Sequence, residues 1–293
     1  GYYFAKNLQP NVNIPVGLLK AAYGGARIEA FMSEDMLGFD EDFTVLQAAN
    51  YYAERQPTMI YNKMINPLLK FPIKGIVWYQ GESNADNLED AKSYGSYLKN
   101  MINSYRENFG LGNIPFVIVQ LPNNGTIYGE NAPQTWDAWP QIRKCQDEAT
   151  SLPEVYEVVT IDAGDVDIHP TDKHLVGERI ALMVRNEVYG QNVDAYSPRY
   201  ASHTKLTGGA VEITFANVGT GLKTIDGDTV RWFSIAGADG KLVRAKAKIT
   251  GTNTVEVSSA SVSSPEIIRY AWEYNPDSVN LYNSANLPAA PFY

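Results

Sequence analysis

Residues 75–86 read "GIVWYQGESNAD". An apolar run through Ile76, Val77 and Trp78 stops at a polar cluster holding Gln80, Gly81, Glu82, Ser83 and Asn84. Open α/β sheets place their chemistry where a buried strand ends in a glycine-flanked polar turn. The stretch therefore predicts a parallel sheet. It also raises the question whether Ser83 is a nucleophile or its loop holds another part of a site.

The flanking sequence supports the sheet. Residues 73–79 are one strand, and residues 14–22, "IPVGLLKAA", read as a buried strand running into Tyr23-Gly24-Gly25-Ala26. Helical spacing recurs over 58–70 through Met59, Ile60, Met64 and Leu68. A long helix is expected from about Leu88 to Phe109, with Tyr94, Tyr97, Leu98, Met101, Ile102, Tyr105 and Phe109 at three- and four-residue steps. Residues 114–122 and 155–163 are further apolar strands, and a helix is expected over 133–150. The last helix of this part covers about 171–189, with Thr171 or Asp172 near its cap and Gly190 past its end. Short apolar strands separated by helices predict a mainly parallel sheet covered on both faces, over residues 1–193. Residues 194–293 change to alternating apolar and polar runs split by Gly208-Gly209, Asp226-Gly227 and Asp239-Gly240, which predicts a β-sandwich-like antiparallel module. The tail "NLYNSANLPAAPFY" carries little sign of regular structure.

Bulk composition narrows the function classes. The chain has 293 residues, 44% hydrophobic and 19% charged, which predicts a folded core. Net charge is -9 and no basic run occurs, which argues against nucleic acid or an anionic membrane as partner. No stretch has the length and apolarity of a membrane span, so membrane insertion is not expected. Gly1-Tyr2-Tyr3-Phe4-Ala5-Lys6 does not read as a signal peptide. The single cysteine, Cys145, reads as half-buried in a helix, and no His or Cys cluster has zinc spacing. His169 and His174 are five residues apart, which does not put both on one helical face.

Three strand ends carry unusual residues: Gly24-Gly25, Gln80-Gly81-Glu82, and "DAGDVDIHP" over residues 162–170. Brought to one sheet edge, they would offer backbone N–H groups, a side-chain amide, and a carboxylate beside an imidazole. That set suits acyl transfer by a general base with oxyanion donors. His169 is the sharpest feature, since Pro170 restricts its backbone and Asp165 and Asp167 precede it. Ser83 follows Gly81 in Gly-x-Ser, but the nucleophile elbow of α/β-hydrolases requires a second glycine where this chain has Ala85.

These motifs resemble the sialate O-acetylesterase family of the SGNH hydrolases, related to bacterial acetylxylan esterases. The likeness runs through "GYYFAKNL", "PVGLLKAAYGGARIEAFMS", "IKGIVWYQGESNAD", "PFVIVQLPN", "DIHPTDKHLVGERIALMV", "IAGADGKLVRAKAKI" and "NLYNSANLPAAPF". It implies a three-layer, flavodoxin-like α/β domain that removes acetyl groups from sugar hydroxyls of sialic acid or plant polysaccharides. It implies no cofactor, and work in the periplasm or outside the cell. It assigns His169 as base with Asp167 as partner, Asp165 or a bare Ser–His dyad remaining alternatives. Gly24, Gly25 and Gln80 become the oxyanion hole, with Gly81 and Glu82 as motif support. The family's nucleophilic serine lies in a Gly-Gln-Ser-Asn motif upstream of the part resembling "GYYFAKNL", and this chain has no such motif. The sheet is therefore expected to lack its first strand. A preceding segment or a second polypeptide is expected to bring strand and serine. The competing expectations are a non-catalytic carbohydrate binder on the same fold and a hydrolase that uses Ser83.

Overall fold

The computed structural model describes residues 1–38, 55–125, 137–227 and 229–293. Its centre is a parallel sheet of β1 (Ile76–Trp78), β2 (Phe116–Val119) and β3 (Val155–Val158), in that order. Register runs Ile76 to Phe116 and Phe116 to Val155. All four residues of β2 are buried, as a strand paired on both sides and covered on both faces must be.

Each crossover is a helix. After β1 comes α2 (Leu88–Phe109), where Asn87 caps the start by accepting from Asp90 N and Gly110, at φ 64°, ends it. After β2 comes α3 (Ala138–Ala149); the first residues of the expected 133–150 helix lie outside the described residues. Both pack on the sheet face that presents Phe116 and Ile118. The opposite face, with Val117 and Val119, is covered by α1 (Tyr2–Val12) and α4 (Lys173–Glu187). Asp172 caps α4 through Leu175 N, and Gly190 at φ 63° follows its end. The helices touch at Gly177, where a Cβ would lie 2.6 Å from Tyr3 Cβ and 2.7 Å from Phe4 N. Residues 59–68 are continuously helical, close to the expected 58–70, with a wide turn at Tyr61–Ile65 and a tight one at Asn66–Leu68.

Residues 14–22 form no strand, which corrects the expectation. The segment passes from one sheet face to the other: Val16 packs with the α1–α4 core and Ala21 with the α2–α3 core. Ile14, Leu18 and Leu19 are about half exposed. A strand exists only where a neighbour completes its ladder, and among the described residues none lies beside this one. The outer edge of β1 is also unpaired among the described residues. Ile76 N bonds Pro115 O on the β2 side, so Val77 turns its own N–H and C=O outward, and its side chain is 42% exposed.

Past α4, the described residues form nine short strands. One sheet joins β4 (Arg199–Lys205), β5 (Val211–Ala216), β10 (Thr254–Ser258) and β9 (Lys246–Ile249). A second joins β11 (Ile267–Tyr270), β7 (Phe233–Ala236) and β8 (Val243–Arg244), and a third pairs β12 (Leu281–Asn283) with β6 (Leu222–Thr224). All pairings here are antiparallel. The tail differs from its expected irregularity. Leu281 and Ala289 are fully buried, and Tyr282 bridges to Pro288.

The β part shares its core with the α/β part, since Val159 and Ile161, just past β3, pack among Val211, Phe233 and Leu281. Arg143 of α3 reinforces the seam. Its buried guanidinium donates to Leu121 O, Pro122 O, Glu273 O and Tyr274 O at 2.6–3.2 Å. Burial pulls it down to about 9, still charged at neutral pH. Arg199 Nη2 meets Glu157 Oε2 at 2.6 Å, and Tyr282 donates to Asp162 Oδ2 at 2.8 Å.

Candidate active site

The loop at the carboxyl end of β1 meets the turn at Gly24-Gly25 through Gln80, and the loop after β3 interacts by charge with Glu82 of that β1 loop. The β1 loop is held from two helices. Trp78 Nε1 donates to the Tyr94 hydroxyl, which donates to Gln80 O at 3.1 Å. Gln146 of α3 donates to the same carbonyl at 3.0 Å and accepts from Leu121 N at 2.9 Å, tying the ends of β1 and β2 together. Gly81 has φ 144°, and a Cβ there would stand 2.7 Å from Ile142 Cγ2, so only glycine makes this turn.

Gln80 is buried and its Nε2 donates to Ala26 O at 3.1 Å and to Asn84 Oδ1 at 2.8 Å. The amide thus joins the Gln-Gly-Glu loop to the glycine turn. Both its hydrogens are engaged, while Oε1 is buried and has no hydrogen-bond partner among the described residues. Gly24 and Gly25 are exposed. Gly25 sits at φ 71°, and its missing Cβ leaves room for the Arg55 guanidinium, which would otherwise lie 2.7 Å away.

Glu82 is half-buried in a short turn, Glu82–Asn84. Burial pushes its carboxyl above the usual carboxylate range, while Lys173 and His169 act in the opposite sense. Lys173 Nζ lies 5.6 Å from the Tyr79 ring centroid, over its face. Burial lowers this ammonium, and Glu82 holds it up. These charges bring the loop before α4 to the β1 loop.

In that third loop, Asp167 Oδ1 accepts from His169 N at 2.7 Å and lies 2.9 Å from His169 Nδ1. Those two hydrogen bonds hold the Asp167 carboxyl below its ordinary value. An ionised carboxylate only accepts, so Nδ1 carries a proton, and in the neutral imidazole Nε2 is then the acceptor nitrogen. Asp165 instead accepts from Val166 N at 2.7 Å and from Thr171 Oγ1 at 3.5 Å. The His169 side chain is 86% exposed among the described residues.

Ser83 is half-buried, and no hydrogen bond links it to His169 among the described residues. His174 faces Glu178 and Tyr3, and His203 bonds the Tyr200 hydroxyl. Cys145 is buried, its thiol pushed up by that burial. Among the described residues no group of three metal-binding side chains forms.

Sequence reasoning singled out neither Asn84 nor Glu29. Asn84 is 1% exposed and bonds Ile28 N, Gln80 and Glu29. Glu29, 3% exposed, meets Arg27, which in turn pairs with Asp90 at 2.8 Å. Their signal was a polar residue four places after Gln80 and an acid inside an apolar stretch.

Known proteins resemble this chain in sequence and fold. A family model described as "Carbohydrate esterase, sialic acid-specific acetylesterase" matches residues 1–182. Mouse sialate O-acetylesterase is 26% identical over 99% of this chain and 62% of its own length. The human sialate O-acetylesterase is 29% identical over 65% of this chain and 39% of its length. The crystal structure of a carbohydrate acetylesterase from Xanthomonas citri superposes with a TM-score of 0.87 at 36% identity, covering 99% of this chain and 63% of that one. The chain thus spans about three fifths of the mouse protein and less of the human one. With the family model covering more than half its residues and an acetylesterase crystal structure matching it nearly end to end, the chain belongs to the carbohydrate esterase family of sialic acid-specific acetylesterases.

Proposed function

We propose that this chain carries the base and the oxyanion loops of a carbohydrate O-acetylesterase. The observation that carries the reading is the Asp167–His169 pair, set in a loop whose charge reaches the Gln80-Gly81-Glu82 loop, which is itself bonded to the glycine turn. In this reading a serine hydroxyl attacks the acetyl carbonyl and passes its proton to His169 Nε2, while Asp167 steadies the imidazolium. The tetrahedral oxyanion is met by Gly25 N–H, in the turn of Gly24, and by the Gln80 amide, which releases one of its present acceptors to do so. Collapse expels the sugar hydroxyl, which takes the proton from His169. Water activated by the same base then frees acetate and restores the serine. One lost oxyanion donor costs about 3–4 kcal/mol in such a transition state.

The serine is supplied by polypeptide outside these 293 residues. Two observations support this: no serine hydroxyl bonds His169, and β1 has no partner on its outer edge, both among the described residues, where Ile14, Leu18 and Leu19 are also about half exposed. A strand entering there would cover both and end at the same sheet edge as Gln80. The test is p-nitrophenyl acetate hydrolysis and fluorophosphonate labelling of the full protein, with intact-mass mapping of the label. Label on a serine outside this chain supports the reading. Label on Ser83, abolished in Ser83→Ala, replaces it with a Ser83 hydrolase, and neither label nor turnover leaves a carbohydrate binder.

A further inference from the structure

We infer that Asn84 is a positioning residue that orients the Gln80 amide and locks the Gln-Gly-Glu loop to the glycine turn. The inference rests on the esterase reading and goes beyond it, because Asn84 touches no substrate.

The hydrogen-bond polarity of this cluster is determined without reference to which amide atom is which. Ile28 N–H can only donate, and its acceptor at 3.0 Å is one atom of the Asn84 amide, which must be Oδ1. The other atom is therefore Nδ2, and it donates to Glu29 Oε2 at 3.0 Å. Gln80 presents one atom to both Ala26 O and Asn84 Oδ1, two acceptors, so that atom must be Nε2. The chain of constraint runs from a backbone N–H through Asn84 to Gln80. Asn84 is 1% exposed, so no bulk water can substitute for it.

The same side chain bridges distant sequence. Its partners at Ile28 and Glu29 lie just past the glycine turn, and its partner Gln80 lies at the end of β1. Arg27, between them, anchors Glu29 at 3.5 Å and reaches Asp90 in the first turn of α2 at 2.8 Å. Removing Asn84 Oδ1 frees the Gln80 amide to rotate and leaves Ile28 N–H buried without its acceptor.

The test uses the full protein and three variants: Asn84→Ala, Asn84→Asp, and the exchange Asn84→Asp with Glu29→Gln. The exchange keeps an acceptor oxygen toward Ile28 and Gln80, puts a second acceptor where Nδ2 stood and so reverses the bond to position 29, with net charge unchanged. Asn84→Ala is expected to lower kcat for acetyl ester hydrolysis on the order of 10- to 100-fold, with KM within about twofold. It should also abolish hydrogen-exchange protection of the Ile28 amide. Combined with Gln80→Ala, its loss should be less than the product of the single losses. Should Asn84→Ala not fold, Asn84→Asp is expected to be impaired and the exchange to restore both readouts. A protected Ile28 amide in Asn84→Ala, an unchanged kcat in an active protein, or an exchange no better than Asn84→Asp overturns the inference. A wild type inactive on every acetyl ester ends the esterase reading, and Ile28 protection then decides the positioning claim alone.

Discussion

At His169 the decisive relation is which carboxylate touches the ring. Asp167 Oδ1 holds both the backbone N–H and Nδ1 of His169, whereas Asp165 is turned to Val166 and Thr171. Asp167→Asn should therefore lower kcat of the full protein by about 10²-fold or more, while Asp165→Asn should change it by less than about tenfold. Steady-state kinetics on p-nitrophenyl acetate check the ranking; equal losses would assign no special role to Asp167. Glu82 yields a prediction of opposite kind. Its carboxyl is raised by burial, so its contribution to stability is full below the ordinary carboxylate range and is lost as pH rises through the raised value. Glu82→Gln should match the wild-type Tm near about pH 4 and exceed it increasingly toward about pH 8, measured by thermal melts. The pair at His169 was legible in the sequence because its partners lie two residues apart. Asn84 was not, because what gives it meaning is an amide N–H 56 residues upstream.

Elements were legible where local chemistry decides them. Helix α2 carries its buried stripe within its own 22 residues, with its cap Asn87 and its glycine stop Gly110 immediately adjoining. The run at 14–22 has the composition of a strand, yet a strand depends on its neighbour, and composition does not reveal whether one is there. The buried tail escaped for the converse reason: Leu281 and Ala289 are fixed by contacts with β6 and with the β core rather than by alternation. Close approach is likewise a relation between elements. Gly177 lets α4 lie on α1, and Gly177→Ala would drive a methyl into Tyr3 and the Phe4 backbone. A loss of about 1–3 kcal/mol in urea melts is expected, and an unchanged midpoint would mean that α1 yields freely.

Over the whole molecule, the α/β part and the β part behave as one cooperative body. Val159 and Ile161 belong to the β core, and Arg143 caps carbonyls from both parts. Replacing Arg143 with Met strands those carbonyls away from water, at a cost of about 3–5 kcal/mol. Calorimetry should record a single lowered transition rather than two separate ones, and an intact midpoint would show that the seam carries no stability. The change of pattern near residue 194 was legible in the sequence, but this seam was not, because nothing local to Arg143 announces carbonyls from residues 273 and 274.

The outward-turned backbone of Val77 bears on how the polypeptide behaves in a test tube. A half-finished ladder with greasy flanks recruits whatever extended chain it meets, sister molecules included. Dilution, or a short soluble peptide of suitable apolar pattern, would then keep such material dispersed, and purification without either would favour clumping at that rim.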